Sequence, residues 1–221
     1  ARGEPWNPND ALHRELAARW LAGLHIVSSR AVGSSGLPDR GLGWFRGHLD
    51  STRGWIRDGC ANPALSSADR PLLDRWLRLL DDVEFCWPRI EASCAEMPRA
   101  LVHGDFAARN VRIRCEGAAP RVLAFDWEVA GWGLPAVDLP SVDLSTYAEA
   151  VQADWTLEPT ALARFAQLGS LLRSGIAAAS WVSESLTTPW PEHAVPDLEH
   201  YERRVERALV ALGWRAAGGA A

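Results

Sequence analysis

Three oxygen-bearing side chains near the middle of the chain have the types and the order needed for phosphoryl transfer. Asp105 and Asn110 lie in the run HGDFAARN at residues 103–110, and Asp126 follows a second, apolar run. A carboxylate can accept the proton of an attacking hydroxyl. An amide oxygen and a second carboxylate can hold Mg²⁺, a hard cation that prefers oxygen ligands. These residues predict a site at which a magnesium nucleotide meets an alcohol.

A β-hairpin is predicted to bring these groups together. Residues 110–115 alternate between apolar and polar types, and residues 121–125 form an apolar run. The stretch between them contains Gly117 and has the composition of a turn. Because the residue before the first strand of a hairpin lies near the residue after the second, we expect Asn110 beside Asp126.

The motifs around this hairpin resemble those of the aminoglycoside phosphotransferase/choline kinase family. The resemblance is carried by HGDxxxxN at 103–110, DWE at 126–128 and AGWGLPAVDL at 130–139. Members of that family are small-molecule kinases with the protein kinase fold. The resemblance implies an α+β, mainly helical chain: the large C-terminal lobe of the protein-kinase-like fold, with a central catalytic β-hairpin and without the N-terminal nucleotide lobe.

The resemblance also implies roles for individual residues. Asp105 matches the catalytic base, and Asn110 and Asp126 match the two ligands of the nucleotide-bound metal. Asp138 matches the acid that braces the catalytic loop through its backbone amides, and His103 matches a loop-packing histidine. The implied activity is transfer of the γ-phosphoryl group of ATP, or GTP, to a hydroxyl of a small molecule, with Mg²⁺ as the metal.

Two charged neighbours of these residues are each open to two interpretations. Arg109 either faces the substrate or a phosphate group, or it forms a salt bridge within the loop. Residues 105–110 also look like the catalytic loop of protein tyrosine kinases, but Gly104 and the DWE sequence argue against that branch. Glu128 either supports the metal ligands or is a turn carboxylate.

The sequence lacks the features of a nucleotide-binding lobe. All 23 basic side chains are arginine, whereas kinases of this fold anchor the nucleotide phosphates with a lysine on a strand. Upstream of His103 the sequence predicts helices and loops, with no strand cluster or Gly-rich phosphate loop. We therefore expect residues 1–9 to be a linker from a missing N-terminal lobe that the intact protein supplies. We expect residues 10–214 to be the C-terminal lobe and residues 215–221 a disordered tail.

A second class of function stays open beside the kinase. The chain could be a non-catalytic kinase-like binding or scaffold module that has lost the nucleotide lobe. The retained set of Asp105, Asn110 and Asp126 favours the enzyme, because a module without catalysis has no physical need for two metal ligands. The absence of the smaller lobe favours the scaffold.

Helical patterns surround the hairpin. Residues 28–43 are rich in Gly and Pro and predict a loop. Apolar side chains recur at helical spacing elsewhere, which predicts helices over about 10–25, 44–58, 69 to a break at Pro88, 162–179 and 198–212, the last closed by Gly213.

Composition excludes several other classes of function. A chain of 221 residues with 48% hydrophobic content predicts a single compact domain with a substantial core. The net charge of −5, with acids and arginines interspersed, gives no basic stripe for a nucleic acid. The most apolar stretch, residues 168–182, is too short and too polar to span a membrane. The four cysteines form no CxxC pair and predict core or surface thiols in a cytoplasmic protein.

Two weaker patterns bear on the substrate, which we expect to be a small molecule with a hydroxyl group. Six acids downstream of the site form either an anionic cleft for a polycationic aminoglycoside or an ordinary solvated surface, and we favour the solvated surface. They are Asp143, Glu149, Asp154, Glu158, Glu184 and Glu192. Four tryptophans could provide aromatic walls for sugar rings or an ammonium group, with core packing as the default: Trp132, Trp155, Trp181 and Trp190.

Overall fold

Two compact units make up the chain in this computed structural model. The structure describes residues 3–30, 36–115 and 120–216. The first unit comprises Ala1–Gly41 and Glu96–Gly169, and the second comprises Leu42–Ala95 and Ser170–Ala221. That residues 10–214 form one domain stays a prediction, because a division into two compact units does not test it. Each unit is assembled from two separate stretches, and composition carries no information on which stretches pack together.

Helices account for most of the regular structure. The strands are β1 (Glu4–Pro5), β2 (Asp39–Arg40), β3 (Ala100–Val102), β4 (Val111–Arg114), β5 (Arg121–Ala124) and β6 (Gly131–Gly133). The α-helices are α1 (Ala11–Arg30), α2 (Leu42–Cys60), α3 (Arg70–Phe85), α4 (Trp87–Cys94), α5 (Leu144–Val151), α6 (Pro159–Gly169), α7 (Ala178–Ser183) and α8 (Val195–Ala211). Two 3₁₀ turns, Ala108–Asn110 and Pro135–Asp138, flank the candidate site in the sequence, and a π-helix, Ser170–Ala177, follows α6. The mainly helical α+β class is confirmed.

The predicted hairpin is confirmed, and it forms part of a three-stranded sheet. β4 and β5 pair antiparallel with Val111 opposite Ala124 and Arg114 opposite Arg121. β1 adds to the other side of β4. Val111 and Ile113 point into the core, since both are buried, whereas Arg114 is exposed. Gly117, in the predicted turn, lies outside the described residues.

A second sheet was not predicted from the sequence. β6 pairs parallel with β2 and antiparallel with β3. These strands are two or three residues long, which is too short to show an alternating pattern. At Gly131, a side chain would overlap the Pro38 carbonyl oxygen. The two glycines of β6 therefore permit close backbone approach, although glycine weakens a prediction of strand.

The described part of residues 1–9 packs against the first unit. β1 pairs with β4, and the Trp6 side chain is only 2% exposed. The Trp6 indole N–H also donates a hydrogen bond to the His13 carbonyl at 3.1 Å. The segment is thus not an unpaired linker, because its strand and its indole are both held. That it leads from a further lobe stays a prediction.

Helix α1 begins where the sequence predicted and ends later. The Asp10 carboxylate accepts a hydrogen bond from the His13 amide at 3.0 Å, which caps the first turn. The helix continues past His25, and the Ser28 and Ser29 hydroxyls donate to the His25 and Ile26 carbonyls within it. The predicted loop at 28–43 therefore starts too early. Residues 31–35 of that loop lie outside the described residues.

The helices of the second unit follow the predicted pattern closely. α3 ends at Phe85 and α4 begins at Trp87, so the predicted break at Pro88 is confirmed. Proline is tolerated in the first turn of a helix, where the amide needs no partner. Gly213 has a φ of +71° after α8, as expected of a helix terminator. Of the predicted disordered tail, residues 217–221 lie outside the described residues.

The predicted helix over 162–179 is instead three helical segments in sequence. α6 ends at Gly169, the π-helix follows, and α7 begins at Ala178. A side chain at Gly169 would overlap the carbonyl oxygen of Ala136, in the 3₁₀ turn Pro135–Asp138. This glycine therefore lets α6 approach the backbone of that turn. Among the described residues, every helix is too short or too polar to cross a bilayer.

Replacing Gly169 by alanine is expected to destabilise the protein by about 3 kcal/mol, because backbone atoms of Ala136 cannot rotate away as a flexible side chain would. Gly23→Ala in α1 is the matched control, since nothing lies within 4 Å of the added methyl. The control should stabilise by up to about 1 kcal/mol through helix propensity. Urea unfolding of both variants measures the difference. Equal midpoints would contradict the close approach of α6 to the turn.

Candidate active site

The loop after β3 is held in place by a left-handed glycine. Gly104 has a φ of +80°, and a side chain there would lie 2.7 Å from the Val129 carbonyl oxygen. Only glycine meets both conditions without strain. The chain turns sharply at this point and leaves Asp105 half-buried directly behind it.

Asp138 braces this loop from below through backbone amides. Its side chain is fully buried, and it accepts hydrogen bonds from the His103 amide at 2.7 Å and the Gly104 amide at 2.9 Å. The ring of His25 lies 3.4 Å from the same carboxylate. Burial opposes the charged form, but the hydrogen bonds from His25 and from the His103 amide outweigh it and lower the pKa of Asp138. A buried, ionised carboxylate therefore fixes the two residues before Asp105.

Replacing Asp138 by asparagine is expected to cost about 3 kcal/mol of stability at pH 7, because an amide group cannot accept from both backbone N–H groups and His25. Since folding lowers the pKa of Asp138, its stabilisation is present above the usual value of 3.8 and is lost as the pH falls through the lower folded pKa. The difference in unfolding free energy between wild type and Asp138→Asn should hold from pH 7 to 5 and shrink below 3.8. A difference that does not change with pH in that acid range would contradict an ionised brace.

Asp105 and Asn110 are in direct contact. The Asn110 amide nitrogen donates to Asp105 Oδ2 at 2.8 Å and to the Asp105 carbonyl at 3.0 Å. Asn110 is 6% exposed, at the end of the 3₁₀ turn that leads into β4. Because the nitrogen faces Asp105, the amide oxygen of Asn110 points away from that carboxylate.

Asp126 is placed by the residue before it. The Phe125 amide donates to the Asn110 carbonyl at 2.9 Å, and the Phe125 carbonyl contacts His103 Nε2 at 2.8 Å. The His103 ring also accepts from the Asp105 amide at 3.3 Å. The fully buried imidazole therefore joins the backbone of Asp105 to the backbone preceding Asp126. The three predicted site residues are thus linked through one network.

Asp126 itself has a conformation that sets it apart from strand residues. Its φ is +63°, in the left-handed region, and its side chain is exposed. Asparagine and aspartate tolerate this region better than other L-residues do. Within the described ranges the carboxylate has no hydrogen-bond or ion-pair partner, so its charge is left available to a cation.

The oxygen donors at this site suit a hard cation. The described chain holds no group of three or more His, Cys, Asp or Glu side chains that could form a complete metal cage. Mg²⁺ does not need such a cage, because it keeps several waters and takes one or two protein oxygens. The Asn110 amide oxygen and the Asp126 carboxylate are donors of that kind.

Arg109 and Glu128, whose roles the sequence left open, have different surroundings in the structure. The Arg109 guanidinium, whose side chain is 67% exposed, forms an ion pair with Asp105 Oδ2. This contact agrees with the loop salt bridge, although the exposed guanidinium still borders the site. Glu128 is exposed near Asp126 in the sequence. No contact to the Glu128 carboxylate occurs within the described part of the chain.

Sequence reasoning missed three residues that support the loop. Trp127 packs on the His103 ring with 4.7 Å between ring centroids. His25 and Tyr147 lie behind Asp138 and are both buried. The available signal for His25 was its place on the apolar stripe of α1, one turn after Leu21, which is unusual for a histidine. No local pattern in the sequence marks Tyr147.

Two of the downstream acids have structural roles. Asp143 caps α5, and the Ser145 hydroxyl and the Thr146 amide lower the pKa of its carboxyl. Asp154 forms an ion pair with Arg30 at 2.7 Å. These contacts favour ordinary surface roles over an anionic cleft. Among the four tryptophans, Trp155 packs against the core of the first unit, whereas Trp181 and Trp190 are exposed.

A half-buried aspartate in contact with an asparagine, an exposed aspartate on the same network and a buried aspartate under the loop, on a mainly helical scaffold, agree with a kinase-like phosphotransferase. A family model agrees with this class. Residues 3–181 match the Phosphotransferase enzyme family, and the chain belongs to that family. The resemblance found in the sequence is thereby confirmed. A search of curated proteins gave no match.

Solved structures of small-molecule kinases share the fold. An ethanolamine kinase of Plasmodium vivax matches with a TM-score of 0.62 at 11% identity, covering 97% of this chain and 65% of that one. A microcompartment-associated aminopropanol kinase matches with a TM-score of 0.62 at 18% identity, covering 96% and 66%. A choline/ethanolamine kinase family protein from Mesorhizobium loti matches with a TM-score of 0.56 at 15% identity, covering 96% and 66%. The chain therefore spans about two thirds of the length of these kinases.

Proposed function

We propose that this chain is the catalytic and substrate-binding lobe of a phosphotransferase that moves the γ-phosphoryl group of ATP, or GTP, to a hydroxyl of a small molecule. The observation that carries the proposal is the 2.8 Å contact between Asn110 and Asp105, with Asp126 tied to both through Phe125 and His103. Family membership and the small-molecule kinases with this fold support the same conclusion.

Asp105 is proposed to orient the acceptor hydroxyl and to take its proton. Arg109 and Asn110 both contact Oδ2, and no donor among the described residues contacts Oδ1. Oδ1 is therefore the oxygen that can accept a hydrogen bond from an alcohol. Because the transition state of phosphoryl transfer is loose, aiming the hydroxyl matters more than deprotonating it early.

Asn110 and Asp126 are proposed to hold the metal ion of the nucleotide. Bound Mg²⁺ would neutralise charge that develops on the transferred phosphoryl group. Asn110 has a second task, since its nitrogen fixes the orientation of Asp105 while its oxygen faces the other way. One side chain thereby sets the spacing between the base and the cation site.

Arg109 is proposed to keep Asp105 in place until the acceptor arrives. Its exposed guanidinium neutralises Oδ2 without covering Oδ1. A cation beside the base disfavours acceptors that carry a positive charge next to the reacting hydroxyl. Removing the charge by Arg109→Gln would test this effect through the relative kcat/KM of cationic and neutral acceptors.

A transfer assay on the intact protein that contains this chain tests the proposed function. Radiolabelled ATP and GTP are supplied with Mg²⁺ and a panel of acceptors that includes aminoglycosides, amino alcohols and sugars. We expect labelled product with at least one acceptor, and none when EDTA removes the metal. If nucleotide and acceptors bind but no label is transferred, the chain is a kinase-like binding module instead.

A further inference from the structure

We propose that His25 and Tyr147 position the catalytic loop by holding the carboxylate of Asp138 in one hydrogen-bonded state. The consequence for turnover rests on the proposed phosphotransferase function, whereas the hydrogen-bonded state itself does not. Neither residue touches the candidate site directly, so both act through Asp138.

The three side chains form a buried chain of contacts within the first unit. The Tyr147 hydroxyl lies 2.9 Å from His25 Nδ1, and His25 Nε2 lies 3.4 Å from Asp138 Oδ2. His25 and Asp138 have no exposed surface, and Tyr147 is 1% exposed. They come from α1, α5 and the turn Pro135–Asp138, so the contact joins parts of the unit that are distant in sequence. Polar groups buried to this degree must satisfy one another, because water does not reach them.

The positions of the protons follow from the groups at the two ends of this series of contacts, Tyr147 and Asp138. At one end, burial and then the charge of Asp138 raise the pKa of Tyr147, so the hydroxyl keeps its proton. At the other end, an ionised Asp138 can only accept. The arrangement that satisfies every group has the tyrosine donating to Nδ1 and the imidazole donating from Nε2 to Asp138. Asp138 therefore fixes the Nε2–H tautomer of His25, and Tyr147 donates to the Nδ1 lone pair that this tautomer leaves.

The selected tautomer matters because one oxygen serves two donors. Asp138 Oδ2 accepts from His25 and also from the His103 amide, while Oδ1 accepts from the Gly104 amide. With the other tautomer, a lone pair on Nε2 would face a charged oxygen. The carboxylate would then move and carry the His103 and Gly104 amides with it. Asp105 is the next residue in the sequence after Gly104, so the direction of its carboxylate would change.

Removing only the Tyr147 hydroxyl tests its contact with His25 Nδ1 and keeps the aromatic ring in place. In the wild-type protein labelled with ¹⁵N-histidine, NMR is expected to show His25 as the Nε2–H tautomer. In Tyr147→Phe, Nδ1 loses its donor and the ring is free to reorient, so the ¹⁵N signals of His25 and the amide signals of His103 and Gly104 should shift. Tyr201→Phe is the matched control, since it removes the hydroxyl of the other tyrosine, on α8, and should leave these signals unchanged. Amide signals of His103 and Gly104 that stay the same in Tyr147→Phe would overturn the proposal.

Kinetics provide the second, independent readout. Tyr147→Phe is expected to lower kcat by about tenfold or more, with KM for the nucleotide unchanged, because a misplaced base slows chemistry rather than binding. His25→Gln keeps an N–H near the position of Nε2 and should recover part of the kcat that His25→Leu loses. Equal loss in Gln and Leu variants of matched stability would overturn the positioning role. If the wild type transfers no phosphate, the proposed function fails, and the tautomer and amide signals still decide this inference.

Discussion

Replacing Asp105 by asparagine should lower kcat by about 10²–10⁴-fold and leave nucleotide binding nearly intact. The substitution keeps the shape of the side chain and its position after Gly104, but it removes the group that takes the proton of the acceptor. Because that proton moves late, the lost interaction belongs mainly to the transition state, and kcat falls more than KM rises. Steady-state kinetics with saturating nucleotide and varied acceptor measure both quantities.

A control must separate loss of the base from loss of an ion pair, since Asp105 also pairs with Arg109. Asp154→Asn is suitable because it breaks an Arg–Asp pair, with Arg30, outside the candidate site. Exposed pairs of this kind contribute about 0–1 kcal/mol, so stability and kcat should change little. An Asp105→Asn enzyme that keeps more than about a tenth of wild-type kcat would show that another group is the base.

The parts of the fold that the sequence predicted are those set by local patterns. The alternation in β4, the break at Pro88 and the terminator at Gly213 each depend on a few neighbouring residues. The second sheet escaped prediction because β2 and β6 are stabilised by each other rather than by their own composition. The division into two units escaped it for the same reason, since it depends on which distant stretches pack together.

The candidate site, like the fold, was predictable only where it depends on local sequence patterns. A hairpin of known register brings Asn110 next to Phe125, which places Asp126 two residues beyond the end of β5. By contrast, His25 reaches Tyr147 and Asp138 across more than a hundred residues of sequence, and within the described residues its contact with the loop runs through Asp138. Side chains that act through a buried partner leave no spacing motif, and only the folded chain reveals them.

The Arg109 ion pair bears on the charge of the acceptor. Its guanidinium stands beside the base, while Asp143 and Asp154 are occupied in a helix cap and an ion pair. Two of the six downstream acids are therefore not available to an anionic cleft, and the positive charge beside Asp105 opposes a cationic group at the same place. An acceptor panel that pairs neutral alcohols with amino alcohols and aminoglycosides measures this effect directly.

Replacing Asp126 by alanine should lower turnover by about 10³-fold or more, because a metal contact contributes several kcal/mol of charge stabilisation in the transition state. Asp126→Asn is the sharper test. Asparagine tolerates the left-handed φ of +63° at this position, so the variant removes the charge without straining the backbone. Both variants should also require more Mg²⁺ for half-maximal rate, and a Mg²⁺ titration at fixed nucleotide measures this shift.

Glu128→Gln is the matched control for the loss of a negative charge at this place in the chain. Glu128 is exposed close to Asp126 in sequence, and it is the residue whose role the sequence left open. If Glu128 is a turn carboxylate, Glu128→Gln should need the same Mg²⁺ concentration for half-maximal rate as the wild type. If Glu128→Gln needs more Mg²⁺, as Asp126→Asn should, Glu128 supports the metal ligands. A wild-type Mg²⁺ requirement and unchanged kcat in Asp126→Asn would contradict the metal assignment. Such a result would leave Asp126 without a metal role, and the proposed site would then rest on Asp105 and Asn110 alone.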